Sequence, residues 1–221
     1  MDITQLILDD HHEQRRLFAV LEQIDPADTG TLGAIWARLA AFLEVHAAAE
    51  EAIFYPELIK VARRAGRLGS AEEETLDAIG DHNEIRDTVA AVGRHAVGSA
   101  AWYDAVAAVN QANGDHMAEE EREGLTDFRR EASVQRRHDL AVAFAGYEAR
   151  HVTGVQPVDK DPESYVREAE QRVALDEQRD ALVEQRDAGD EQRDAVETGQ
   201  PAGDGTSPGS LGIGSLRGTS G

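Results

Sequence analysis

The sequence predicts an all-α fold: an antiparallel up-down-up-down four-helix bundle with a short fifth helix and a largely disordered C-terminal tail. Three observations point there. Apolar residues recur at spacings of three and four from the first residues to about Tyr147, alternating strand-like runs are absent, and the long periodic segments are joined by short links. A first helix is expected from about Ile3 to Ile24, stopped by Asp25-Pro26, and a second from about Thr31 to Arg64, bent at Pro56 and closed by Gly66. Ser70 with Glu73 three residues on gives a capping-box signal for a third helix reaching about Val97. Ser99 is the expected N-cap of a fourth, to about Glu131, and a shorter fifth over 133–150 carries Leu140, Val142, Phe144 and Tyr147.

The bundle is expected to occupy residues 1–152. Residues 153–176 read as an extended linker, and residues 177–221 as a charged repeat and tail. The repeat is EQRDALV, EQRDAGD, EQRDAVE; Gly189 and the lack of paired apolar a and d positions argue against a stable coiled coil. From Gly199 onward the chain is rich in Gly, Ser and Pro, a composition expected to be disordered. A formal net charge of -21, from 22 Lys plus Arg against 43 Asp plus Glu, leaves no basic footprint for nucleic acid or an anionic membrane surface. With no cysteine there is no disulfide framework and no thiolate metal site. The start lacks a basic n-region, and no apolar run approaches the roughly 18 residues that span a membrane, so a cytoplasmic protein is expected.

Laid on a 3.6-residue period, each helix shows one inward stripe, and each stripe contains one histidine. The stripes are Ile3, Ile7, His11, Gln14, Phe18 and Leu21; Ile35, Leu39, Phe42, His46, Glu50 and Ile53; Leu76, Ile79, His82, Arg86 and Val89; and Trp102, Val106, Val109, Asn113, His116 and Glu120. A carboxylate carried into an apolar core costs several kcal/mol unless it is compensated. One histidine per helix, with His-x-x-x-Glu pairs at His46/Glu50 and His116/Glu120, is what a cation site inside a bundle requires. Four imidazoles and two carboxylates exceed one tetrahedral zinc and are too rich in nitrogen for magnesium or calcium. Two transition ions fit; iron suits the donor mixture, and manganese and zinc are compatible with it.

DDH at 9–11, HAAAEEAIFYP at 46–56, DHNEIRD at 81–87 and HMAEEE at 116–121 together resemble the four helical motifs of the hemerythrin family, the HHE cation-binding domain of bacterial type. The resemblance covers about the first 150 residues. Ferritin-like di-iron bundles use paired Glu-x-x-His motifs and more carboxylates, and no such paired set is present. The family implies a non-haem centre of two Fe ions, oxo- or hydroxo-bridged, that binds O2 and, in some relatives, H2O2 or NO. It maps the metal ligands onto His11, His46, Glu50, His82, His116 and Glu120, with His12 the alternative to His11. Oxygen-carrying hemerythrins have a second histidine four residues after the third-helix ligand; here that position is Arg86, a cation, which favours peroxide or redox chemistry over oxygen carriage. Arg86 is expected to pair with Glu84, Glu51 or Glu121. Tyr55 is either a packed tyrosine or a phenol near the metal. The expected function is weak peroxide-decomposing or redox activity, the alternative being a non-catalytic sensor of O2, NO or iron that reaches a protein partner through its tail.

Overall fold

The structure, a computed structural model, describes residues 1–197 and divides the chain into two units, Met1–Asp176 and Glu177–Gly221. The expected disorder over 199–221 lies outside the described residues. Among those described the fold is all-helical: α1 Ile3–Leu21, α2 Thr29–Ala49, a π segment Glu50–Phe54, α3 Tyr55–Arg64, α4 Leu68–Val92, α5 Ala100–Arg122, α6 Gly124–Glu131, α7 Val134–Arg150 and α8 Pro162–Glu197.

Local chemistry sets most ends. The Asp2, Asp28, Ser99 and Ser133 side chains accept from backbone N–H groups of Thr4, Thr31, Trp102 and Arg136, satisfying donors that a first turn leaves free. Gly66, with φ of 72°, follows α3 in a conformation that favours glycine. Several boundaries differ from the sequence reading. The capping box at Ser70 does not form, because α4 begins at Leu68, and α4 stops at Val92. The fourth helix is broken at Glu123, and Gly124 sits so close to the Glu74 carboxylate that a Cβ there would collide with it.

Pro56 does more than bend its helix. Its ring displaces the carbonyl one turn back and it has no N–H, so the preceding turn widens into the π segment and the Tyr55 N–H donates to the Glu50 carbonyl. The Glu51 carbonyl, next in line, receives no ladder donor from Pro56; the Tyr165 hydroxyl donates to it instead, at 2.5 Å.

The core has two main apolar clusters. One joins Ile3 and Ile7 of α1, Phe54, Tyr55 and Leu58, Ile79 of α4, Leu125 and Phe128 of α6, and Phe144 of α7. The other joins Leu17, Phe18 and Leu21, Leu32, Leu39 and Leu43, Val92, and Trp102, Val106 and Val109. On all four long helices the inward histidine falls between them. The stretch Thr29–Arg64 holds no long uncharged run, yet by length and composition it is apolar enough to cross a membrane, its most apolar 18 residues having a mean hydropathy of 1.3. Its Leu32, Leu39, Leu43 and Phe54 are buried in these clusters, which is where that apolarity goes.

The linker expected over 153–176 is replaced in its second half by helix. Asp161 accepts from the Ser164 N–H, Pro162 opens α8, and Val166, Ala169 and Val173 bury themselves against Ile59. In the second unit the repeat is helical along its backbone to Glu197, with Leu182 and Val183 exposed.

Candidate metal centre

All six side chains singled out by their helical phase meet in one layer. His11, His46, His82 and His116 are 0%, 4%, 1% and 3% exposed, and Glu50 and Glu120 are 0% and 3%. Nε2 of His46 lies 2.9 Å from Glu50 Oε1, Nε2 of His82 lies 3.3 Å from Glu50 Oε2, and Nε2 of His11 lies 3.4 Å from Glu120 Oε2. The Nε2 atoms of His82 and His116 are 3.1 Å apart. Candidate ligand atoms thus fall into two triads, His11, His46, Glu50 and Glu50, His82, His116, each within 4.8 Å and sharing Glu50. Buried polar atoms are normally paired. Here Nε2 of His11 and His46, both oxygens of Glu50 and Oε2 of Glu120 have no hydrogen-bond partner.

The outward Nδ1 atoms, in contrast, all face carboxylates, and each carboxylate comes from the neighbouring helix. Asp10 of α1 meets His46 at 3.2 Å, Glu51 meets His82 of α4 at 2.9 Å, Asp81 of α4 meets His116 of α5 at 3.4 Å, and Glu121 of α5 meets His11 of α1 at 3.0 Å. The four contacts close a ring through α1, α2 with the π segment that continues it, α4 and α5. A carboxylate at Nδ1 favours the tautomer that leaves the Nε2 lone pair pointing inward.

Electrostatics inside the layer is strained by its two carboxylates. Burial would raise Glu50, but His46 and His82 hold it well below the usual carboxylate range; burial and the Glu50 charge push Glu120 well above that range. Burial pulls His11 down to about 4 against the pull of Glu121, and burial lowers His116 as well. Burial opposes protonation of His82, yet Glu50 and Glu51 outweigh it and raise it. A set of buried carboxylates and imidazoles, competing for too few protons, is a set that a cation satisfies.

The remaining sequence candidates separate cleanly. His12 is exposed. Tyr55 is fully buried, and its hydroxyl donates to Glu120 Oε1 at 2.9 Å. Burial and the charges of Glu120 and Glu50 push its phenol well above the ordinary value, so it is a proton donor in the layer. Arg86 turns away from the unpaired atoms: its Nε donates to Glu44 at 3.0 Å and its Nη2 to Glu51 at 2.8 Å. Glu84 is exposed, and Glu121 is engaged by Arg15 and His11 instead. Asp10 and Asp81 were not singled out; the signal for them is the Asp-His dipeptide, in which the aspartate lies about 100° round the helix from its histidine and faces the next helix. Lys160 was also missed. Its Nζ meets Glu51 Oε2 at 2.5 Å, and its backbone exchanges two hydrogen bonds with the Asn83 side chain.

A family model for the hemerythrin HHE cation-binding domain matches residues 2–126, more than half of the chain. The chain belongs to that family. The hemerythrin match ends inside α6, so α7, α8 and the segment between them, with Phe144 against His46 and Lys160 against Glu51, lie beyond it. No curated protein and no solved structure matches the chain. The hemerythrin domain binds metal, iron among the cations its donors suit, and the mix of imidazole nitrogen and carboxylate oxygen here fits that chemistry.

Two cavities flank the layer. One of about 240 Å³ lies against Tyr55, His116 and Glu120. The other, about 490 Å³, is lined by Leu43, Ala47, Ile85, Val89 and Arg86 and by residues 153–157, and it reaches His82.

Proposed function

We propose that this hemerythrin-domain protein is a cytoplasmic di-iron protein acting on small oxygen-derived ligands, O2, H2O2 or NO, with modest peroxide-decomposing or redox activity. His11, His46, His82 and His116 would supply nitrogen, and Glu50 and Glu120 would supply carboxylate oxygen. The observation that carries this is the set of five inward, buried ligand atoms on His11, His46, Glu50 and Glu120 that crowd one another without a hydrogen-bond partner. We read α1, α2, α4 and α5 as an up-down-up-down antiparallel set, an arrangement supported by the alternating order in which α1, α2 with its π segment, α4, and α5 followed by α6 meet the two apolar clusters.

When bound, the iron pair would supply the redox change that peroxide chemistry needs. The protein's residues supply the rest. Tyr55 holds a proton beside Glu120, the outer carboxylates keep the Nε2 lone pairs aimed inward, and Arg86, occupied by Glu44 and Glu51, leaves the fourth-residue position of that helix without a ligand.

Elemental analysis of freshly purified protein, with its absorption spectrum before and after peroxide, tests the reading. About two irons per chain and a visible charge-transfer absorption altered by peroxide are expected. Stoichiometric zinc with no spectral response would sink the redox function. His46→Ala and Glu120→Ala should each lower metal content and melting temperature together, because ligand binding is coupled to folding; metal content unchanged in both would overturn the ligand assignment.

A second reading, a non-catalytic sensor, is favoured by one contact set from the C-terminal part: Lys160 pairs with the Glu51 carboxylate that orients His82, and the Tyr165 hydroxyl donates to the Glu51 backbone carbonyl. Tight ligand binding with slow turnover would favour it over the enzymatic reading.

A further inference from the structure

The 240 Å³ cavity has a polarity from outside to inside. Its outer lining includes the exposed carboxylates Glu73, Asp77, Glu119 and Glu123, with Glu74 and Asp81 half-buried behind them. At its inner side stand His116 and Glu120, each 3% exposed, and Glu120 Oε2 has no hydrogen-bond partner. No lysine or arginine is among its lining residues. The larger cavity differs: it is mainly apolar, and the charges in its wall, Arg86 and Glu44, are paired with each other. A cleft lined by one sign of charge focuses the field and concentrates the opposite ion. Its volume suits a hydrated ion as well, since six waters at roughly 30 Å³ each fit within it.

Resting on the reading of the buried layer as a metal centre, we propose that the acidic cavity between α4 and α5 is the entry route by which hydrated ferrous iron reaches that layer. The exposed carboxylates draw the ion in and compensate for the loss of its water. Glu120, buried at the inner end with its Oε2 free of hydrogen bonds, takes it into the layer. The apolar cavity, whose Arg86 and Glu44 neutralise each other, is left to neutral ligands. Gly124 belongs to the same design: a side chain there would collide with Glu74 and narrow the passage.

The test is the rate at which metal-free full-length protein takes up ferrous iron without oxygen, followed as iron becoming inaccessible to a chromogenic chelator. Glu73→Gln/Asp77→Asn/Glu123→Gln removes three exposed charges from the cavity. Glu22→Gln/Glu84→Gln/Asp104→Asn removes three exposed charges elsewhere and corrects for net charge. The cavity variant is expected to load about tenfold more slowly than this control, to reach the same final iron per chain, and to lose most of the slowing by salt that the wild type shows. Equal loading rates for the two variants, or wild-type loading indifferent to ionic strength, would overturn the route while leaving the centre intact. If the wild type takes up no iron at all, the reading of the layer as an iron centre falls, and the route falls with it.

Discussion

Arg86 shows how a single residue can look like part of a metal site and serve another purpose. It lies in the inward stripe of its helix, four residues after His82, yet its guanidinium is spent on Glu44 and Glu51. Arg86→Ala should lower stability by about 3 kcal/mol, the low end for breaking a buried ion pair, since Lys160 and His82 still face Glu51. Chemical denaturation of the metal-free protein measures this, and a loss near zero would show that Arg86 is not needed to hold Glu51. Glu74 gives a prediction in pH. Burial, with Asp127, Glu123 and Glu119 nearby, pushes it from 4.5 up to about 8. Between those values the folded chain holds a proton that the unfolded chain has released, so this residue makes stability fall as pH rises from about 4.5 to about 8. Glu74→Gln should flatten that part of the melting-temperature profile and gain most at the alkaline end. Sequence phase was enough to place the six inward side chains in one layer, because a buried ionisable group on a helix stripe has few innocent explanations. It could not place their carboxylate partners, because each sits on a different helix from its histidine and only the packing decides which pairs meet.

The π segment and the start of α8 explain each other. Proline at 56 was legible as a disturbance, but its effect, a carbonyl at Glu51 left for another donor, requires knowing that Tyr165 arrives from more than a hundred residues away. The segment 153–176 reads as a linker because Gly154, Pro157 and Pro162 dominate its opening. The helical signal was present behind them, in Asp161-Pro162 followed by Val166, Ala169 and Val173. Tyr165→Phe should cost about 1 kcal/mol, the usual net worth of one hydrogen bond. Val173→Asp should cost about 3 kcal/mol or more by burying an unpaired charge beside Ile59. Both are read from denaturation midpoints, and an unchanged midpoint for Val173→Asp would mean that α8 is not docked there in solution.

At the scale of the molecule, the first unit contains all three apolar clusters and every member of the buried layer. Removing residues 177–221 should therefore leave the melting temperature and the iron content of the rest within error; a marked drop in either would show that the second unit contributes to the fold. The ring of carboxylate and imidazole contacts gives the first unit a property that no single helix has. Every histidine is steered by the helix next to it, so the heritable module is the closed circuit of four and not the individual motif. A helix grafted in from a relative would bring its own histidine intact, and the defect would surface one helix away, where a neighbour's imidazole had lost its guide.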